Sequence, residues 1–89
     1  MRNLIYILLL FCSVNSFSQN KVELLNEGNI KFNNGDFQAA EQLYKQSLAK
    51  DSSYYKANVN LAHSLYKQER FDESTSFYKN ALEITDEKS

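Results

Sequence analysis

His63 is the single histidine and Cys12 the single cysteine of this 89-residue chain. A metal site needs three or four ligands at matched spacing, and a nucleophile needs a base beside it. Neither arrangement occurs here. There is no Gly-rich phosphate loop, no serine elbow, and no set of carboxylates at ligand spacing around His63. No catalytic residue, metal or cofactor is expected, and His63 reads as a partly packed or surface-lining side chain. What the chain does carry in quantity is amides, aromatics and lysines, and what they can contact depends on the faces on which the fold places them.

The elements that would position them are announced by a repetition. The stretch FNNGDFQAAEQLYKQSLAKD at 32–51 is followed thirty-four positions later by YKQERFDESTSFYKNALEIT at 66–85. At that offset Asn26 falls on Asn60, Phe37 on Phe71, Tyr44 on Tyr78, Lys45 on Lys79 and Leu48 on Leu82. Size class agrees where identity does not: Gly28 with Ala62, Phe32 with Tyr66, Ala40 with Ser74, Leu43 with Phe77, Ser47 with Ala81. A fixed period in the thirties marks a stacked array, in which one supersecondary unit recurs and buries its apolar face on its neighbours.

Within each copy, Phe37, Ala40, Tyr44, Ser47 and Leu48, and then Phe71, Ser74, Tyr78, Ala81 and Leu82, keep one helical face. A second periodic run precedes each: Leu24, Leu25, Gly28 and Phe32, then Leu61, Ala62, Leu65 and Tyr66. Each unit is therefore expected to be two helices. Asn34-Gly35 breaks the first pair and Asp36 is a good N-cap. In the second pair Glu69 stands where Gly35 stood, which predicts a less well capped turn. Of the aromatics, Phe37, Tyr44, Phe71 and Tyr78 fall on packing positions, and Tyr54, Tyr55 and Tyr66 are freer.

The amino terminus reads differently. MRNLIYILLLFCSVNSFSQN has one base, an apolar run from Leu4 to Phe11, and then small and polar residues. That is the pattern of a secretory signal, with Ser16 and Ser18 placing cleavage between Ser18 and Gln19. Two alternatives remain: a lipoprotein signal acylated at Cys12, disfavoured by the bulky Phe11, and a membrane anchor, for which the run is well short of roughly 20 residues. Removing residues 1–18 removes one base, Arg2, and no acid, so 9 basic and 11 acidic residues remain and the charge is near −2. Basic and acidic residues are interspersed, which excludes a nucleic-acid stripe. The exported chain would hold no cysteine, so packing alone must stabilise it. Pro is absent and Gly occurs only at 28 and 35, a helical composition without a flexible linker.

These residues resemble the tetratricopeptide repeat, a helix-turn-helix unit of the same length. With Lys21 as its first position, Gly28 and Ala62, Phe37 and Phe71, Ala40 and Ser74, Tyr44 and Tyr78, and Ser47 and Ala81 occupy the signature places. Departures are Ser52 and Asp86 where proline is usual, and Glu27 where leucine is usual. The resemblance implies an all-α fold: a short α-solenoid of two units, 21–54 and 55–88, after the signal peptide at 1–18. It also implies a concave face built by the first helix of each unit. That face would carry Val22, Leu25, Asn29, Phe32 and Asn33, then Lys56, Val59, His63, Tyr66 and Lys67, and would hold an extended peptide. Asn29 and Asn60 match two positions of the carboxylate clamp found in some members, whereas Leu25 replaces that clamp's lysine.

A narrower resemblance is to the exported tetratricopeptide proteins of bacteroidete aerotolerance (Bat) operons, carried by the signal ending SFSQ, by EGNIKFNNGDFQAAEQLYKQSL, and by ANVNLAHSLYKQERFDESTSFYKNALEIT with its polar tail DEKS. It implies a periplasmic scaffold for an envelope or membrane-associated complex, with a protein or peptide partner, including a membrane-anchored envelope protein, and no nucleic acid. The alternative is the sensory or docking front end of a longer signalling or envelope-assembly protein. Two units bury one seam, and about three are normally needed for stability. The fold is therefore expected to be completed by a further repeat, by the partner, or by self-association through the last helix.

Overall fold

The three-and-four spacing is realised as four helices in the computed structural model, which describes residues 19–88. They are α1 (Lys21–Asn33), α2 (Phe37–Lys50), α3 (Tyr55–Lys67) and α4 (Phe71–Lys88), with no strand among the described residues. The expected signal segment, with Cys12 and the Ser18–Gln19 junction, lies outside them. Each helix packs mainly on its neighbours in sequence, and α1 also touches α3.

Short connections make α1–α2 and α3–α4 into hairpins, and both hairpins turn in the same way. At the end of α1 the Gly35 amide donates to the Phe32 carbonyl (2.9 Å) and the Asp36 amide to Lys31 (2.9 Å). At the end of α3 the Glu69 amide donates to Tyr66 (2.9 Å) and the Arg70 amide to Leu65 (3.0 Å). Both are Schellman closures, which need a left-handed residue at the turn. Gly35 supplies it at φ 82°, and Glu69 supplies it at φ 62°. The backbone closure of the second turn matches the first, with the left-handed strain falling on Glu69, and Arg70 stands where Asp36 caps the first, so among the described residues no side chain accepts from the first-turn amides of α4 as Asp36 does for α2. Asp36 caps α2 as expected, its Oδ1 accepting from the Ala39 amide at 3.2 Å, and Asn20 does the same for α1 by accepting from Glu23 at 2.9 Å.

Small residues let the helices approach. Gly28, Ala40, Ser47, Ala62, Ser74 and Ala81 are all buried. Ser47 Oγ donates to the Lys21 carbonyl (2.8 Å) and Ser74 Oγ to the Ala62 carbonyl (2.9 Å), so each hairpin is also tied across its two helices. The core gathers Leu25, Ala40, Tyr44, Ala57, Leu61 and Leu65, with Phe32, Leu48, Tyr54 and Phe77 packed against it. Two aromatic assignments change. Tyr54 is not free: it packs on the core, with Lys21 Nζ 4.8 Å from its ring centre. Phe71 is 51 % exposed, its ring meeting that of Tyr66 in an edge arrangement at the turn, with centres 5.2 Å apart. The connection 51–54 does without proline because Asp51 Oδ1 accepts from the Ser53 amide (3.1 Å) while buried Asn58 donates to the Ser52 (3.2 Å) and Tyr54 (3.0 Å) carbonyls.

The seam between hairpins holds a charge. Glu41 on α2 is 3 % exposed. Its Oε1 accepts from Arg70 Nη1 (2.7 Å) and Gln68 Nε2 (3.1 Å), and its Oε2 from Lys45 Nζ (2.7 Å). Burial pushes this carboxyl up, but the donors from Lys45, Gln68 and Arg70 outweigh it and hold the group below the ordinary carboxylate value.

A non-glycine residue in the left-handed region costs roughly 1–2 kcal/mol. Glu69→Gly is therefore expected to raise unfolding stability by about 1 kcal/mol in urea titrations. An unchanged or lowered midpoint would show that Glu69 is not strained.

Candidate functional site

On the face shared by α1 and α3, Asn29, Phe32, Tyr44, Asn60 and His63 line a small concavity of about 80 Å³. Its floor is polar and internally ordered. Asn29 Oδ1 accepts two hydrogen bonds, from Tyr44 Oη at 2.7 Å and from Asn60 Nδ2 at 2.8 Å. Burial pushes the Tyr44 phenol up to about 12, so it stays a donor at physiological pH. The arrangement leaves the Asn29 Nδ2 donor and the Asn60 Oδ1 acceptor without a partner among the described residues, one on each of two neighbouring helices. A donor and an acceptor side by side match the C=O and N–H that an extended peptide presents.

The walls are aromatic. Phe32 packs half-buried on the core and meets Phe37 edge-on at 5.1 Å, which holds its ring at the rim. His63 is exposed and lies against Tyr78, with ring centres 5.5 Å apart. Its imidazole is part of the wall, with no group of three or more potential metal ligands among the described residues.

The concavity thus brings together Asn29, Phe32, Asn60 and His63 of the expected binding residues. The others lie elsewhere. Leu25 is 4 % exposed and belongs to the core, so the sequence reading placed it one face too far outward. The reason is that α1 packs on both α2 and α3, which takes Leu25 as well as Leu24 and Gly28 out of solvent. Val22, Asn33, Lys56, Tyr66 and Lys67 are exposed and Val59 is partly covered, all outside the concavity lining. They can extend a binding surface without forming its floor.

Tyr44 is the lining residue that sequence reasoning assigned to packing alone. Its ring is core, at 1 % exposure, and its hydroxyl is floor. The pairing of a buried phenol with an amide fifteen residues earlier has no periodic signature. Gly28 lies under the ring: a Cβ there would stand 2.5 Å from Tyr44 Cε1 and 2.7 Å from Cδ1, closer than real contacts allow. Only glycine lets the tyrosine enter.

A small residue on the first helix, an aromatic on the second filling the space it leaves, and the same hairpin repeated after thirty-four residues are the features of one family. Its profile, the tetratricopeptide repeat, matches residues 32–88. The chain belongs to the tetratricopeptide repeat family. Tetratricopeptide repeats bind proteins or peptides, so the chain's function class is a protein–protein interaction module. No curated protein matches its sequence. Glu27, where a tetratricopeptide unit usually carries leucine, is here exposed and accepts a hydrogen bond from Gln19.

Gly28→Ala is the sharpest test of this packing. Helix propensity favours alanine by about 1 kcal/mol, yet forcing a methyl onto a fully buried ring costs about 1–3 kcal/mol. The variant is expected to melt lower than the parent in thermal unfolding. A higher midpoint would show that the ring has room to move.

Proposed function

We propose that the protein is an exported tetratricopeptide interaction module that holds an extended peptide segment of an envelope protein, in the manner of a scaffold for a membrane-associated complex of the aerotolerance type. The observation that carries the binding part of this reading is the pair of free amide atoms, Asn29 Nδ2 and Asn60 Oδ1, at the bottom of an aromatic-walled concavity. They are preorganised by Tyr44, so a peptide unit meets groups already in place and little ordering opposes binding. Phe32 and His63 flank the position a peptide side chain would take, and Lys56 and Lys67 lie on the same helix as His63. The export part is supported by the signal-like residues 4–18 and the cleavage site before Gln19. No helix among the described residues is long and apolar enough to cross a membrane.

The groove residues divide into those that bind and those that also hold the fold. Asn29 is in the second class, since it satisfies Tyr44, whereas Asn60→Ala combined with His63→Ala removes lining and leaves Tyr44 its acceptor. Affinity capture from envelope fractions is expected to recover a partner with the parent chain and to lose it at least tenfold with the double variant, at unchanged helicity. The captured parent should have the intact mass of a chain starting at Gln19. Equal capture by both forms would remove the groove from the proposal, and acyl labelling that depends on Cys12 would replace a soluble exported module by a lipid-anchored one.

A further inference from the structure

The turn between α1 and α2 is built on Asn34-Gly35, a pair with a chemistry of its own. A backbone nitrogen can close on the side-chain amide carbon of an asparagine just before it, and a glycine leaves that nitrogen unshielded. Both residues are exposed. Nothing stands within 4 Å of the place a Cβ on Gly35 would take, and the Asn34 side-chain amide has no hydrogen-bond partner among the described residues. The second hairpin supplies the comparison. There Gln68-Glu69 makes the same turn with the same backbone closure. Its side-chain amide is held, Gln68 Nε2 donating to the Phe37 carbonyl (3.4 Å), Glu41 Oε1 (3.1 Å) and the Ser64 carbonyl (3.1 Å), and Glu69 carries a side chain beside the nitrogen. Of the two turns, the first alone joins an unheld amide to an open nitrogen.

We propose that Asn34 is a deamidation site gated by the turn that contains it. In the closed turn the Gly35 nitrogen is withheld in two ways. Its N–H donates to the Phe32 carbonyl at 2.9 Å. With Asn34 at ψ 0°, it also lies eclipsed with the Asn34 nitrogen and so is turned away from the Asn34 side chain. Ring closure needs rotation about the Asn34 Cα–C bond, which breaks that hydrogen bond and the Asp36 to Lys31 bond (2.9 Å) that completes the closure. Reaction therefore proceeds from the locally open turn, at a helix end where opening costs least.

In the open turn the Gly35 nitrogen, its proton taken by hydroxide, bonds to Asn34 Cγ. The Cγ–Nδ2 bond breaks, and Nδ2 leaves as ammonia with a proton from water. Water then opens the cyclic imide at one of its two carbonyls: at Cγ it gives aspartate, and at the backbone carbonyl carbon it gives isoaspartate, with the chain running through Cβ. The net change is amide and water to carboxylate and ammonium, with nothing oxidised or reduced. Either product puts a negative charge at the end of α1, where the helix dipole disfavours it. Isoaspartate also lengthens the main chain inside the closure, so the two turn hydrogen bonds cannot both re-form. Phe32, whose carbonyl closes the turn and whose ring meets Phe37 at 5.1 Å, is the residue through which the change reaches the concave face. The inference does not depend on the function proposed above.

The test is incubation of the full chain at mildly alkaline pH, folded and in urea, followed by peptide mapping with fragmentation that separates Asn33 from Asn34. Isoaspartate is read by enzymatic methylation. Conversion at Asn34 is expected in both states, slower in the folded chain by about tenfold or more, and faster as urea rises below the unfolding transition. Gln68 should be unchanged, and Asn34→Gln should abolish the conversion. The converted chain, separated by ion exchange, is expected to melt lower than the parent. No conversion in the folded chain by the time the unfolded chain is fully converted overturns the proposal. Equal rates in the two states overturn it as well, since the turn would then withhold nothing. A converted chain with the parent's melting midpoint would overturn the stated consequence for the fold.

Discussion

The fit of one tyrosine governs this molecule. Tyr44 needs a neighbouring helix with no Cβ in its way, which Gly28 provides, and a polar atom for its hydroxyl, which Asn29 provides one residue later. A buried phenol without an acceptor would cost about 1–3 kcal/mol, so the position of Asn29 is set by the core before any ligand is considered. Asn60 of the second hairpin then donates to the same oxygen. The consequence runs from sequence to function in three contacts: a glycine admits a ring, the ring orients an amide, and the amide pairs with its counterpart on the next hairpin, leaving one donor and one acceptor without a partner among the described residues.

The two hairpins are also held in register from the other side. Glu41 could not be buried alone, and its three donors come from α2 itself and from the turn into α4. Only the carboxylate is buried, while Lys45 and Arg70 stay partly in solvent, so the net stabilisation is small, because desolvating Glu41 offsets most of the attraction. The consequence of the cluster is geometric: the α2–α3 seam has one register in which Arg70 and Gln68 both reach Glu41. That register in turn sets where Asn60 meets Asn29. Apolar packing by Leu61 and Leu65 supplies the attraction, and polar contacts at both edges fix the alignment.

Much of this was legible in the sequence, and for a definite reason. Periodicity reports which face of a helix is buried, so the four helices, the small residues at 28, 40, 47, 62, 74 and 81, and the Asp36 cap could be read directly. Asn29, Phe32, Asn60 and His63 could be grouped because the resemblance to the tetratricopeptide repeat implies a concave face on the first helix of each unit. What periodicity does not report is how many sides of a helix are covered. Leu25 was therefore placed in the groove, Phe71 in the core, and Tyr54 outside it, although α1 packs on two helices, α4 on one, and the inter-hairpin connection folds back on the core. The Glu41 cluster was invisible because Thr75 occupies the equivalent place in the second unit, so no repeat signal marks it. Glu69 looked like a lost glycine. It is instead a retained turn under strain, since six-to-one and five-to-two hydrogen bonds depend on the backbone and not on the side chain.

The central claim is that core and groove are one structure joined at the Asn29 amide, and a double-mutant cycle measures that junction directly. Tyr44→Phe removes one donor to Asn29 Oδ1 and Asn60→Ala removes the other, so each single variant leaves the oxygen with a partner and only the double variant strips it. In urea unfolding of the full chain, the double variant is expected to lose more stability than the two singles together, by at least about 0.5 kcal/mol. Losses that add within about 0.3 kcal/mol, the behaviour of independent sites, would contradict the account and leave the tyrosine and the groove as separate features.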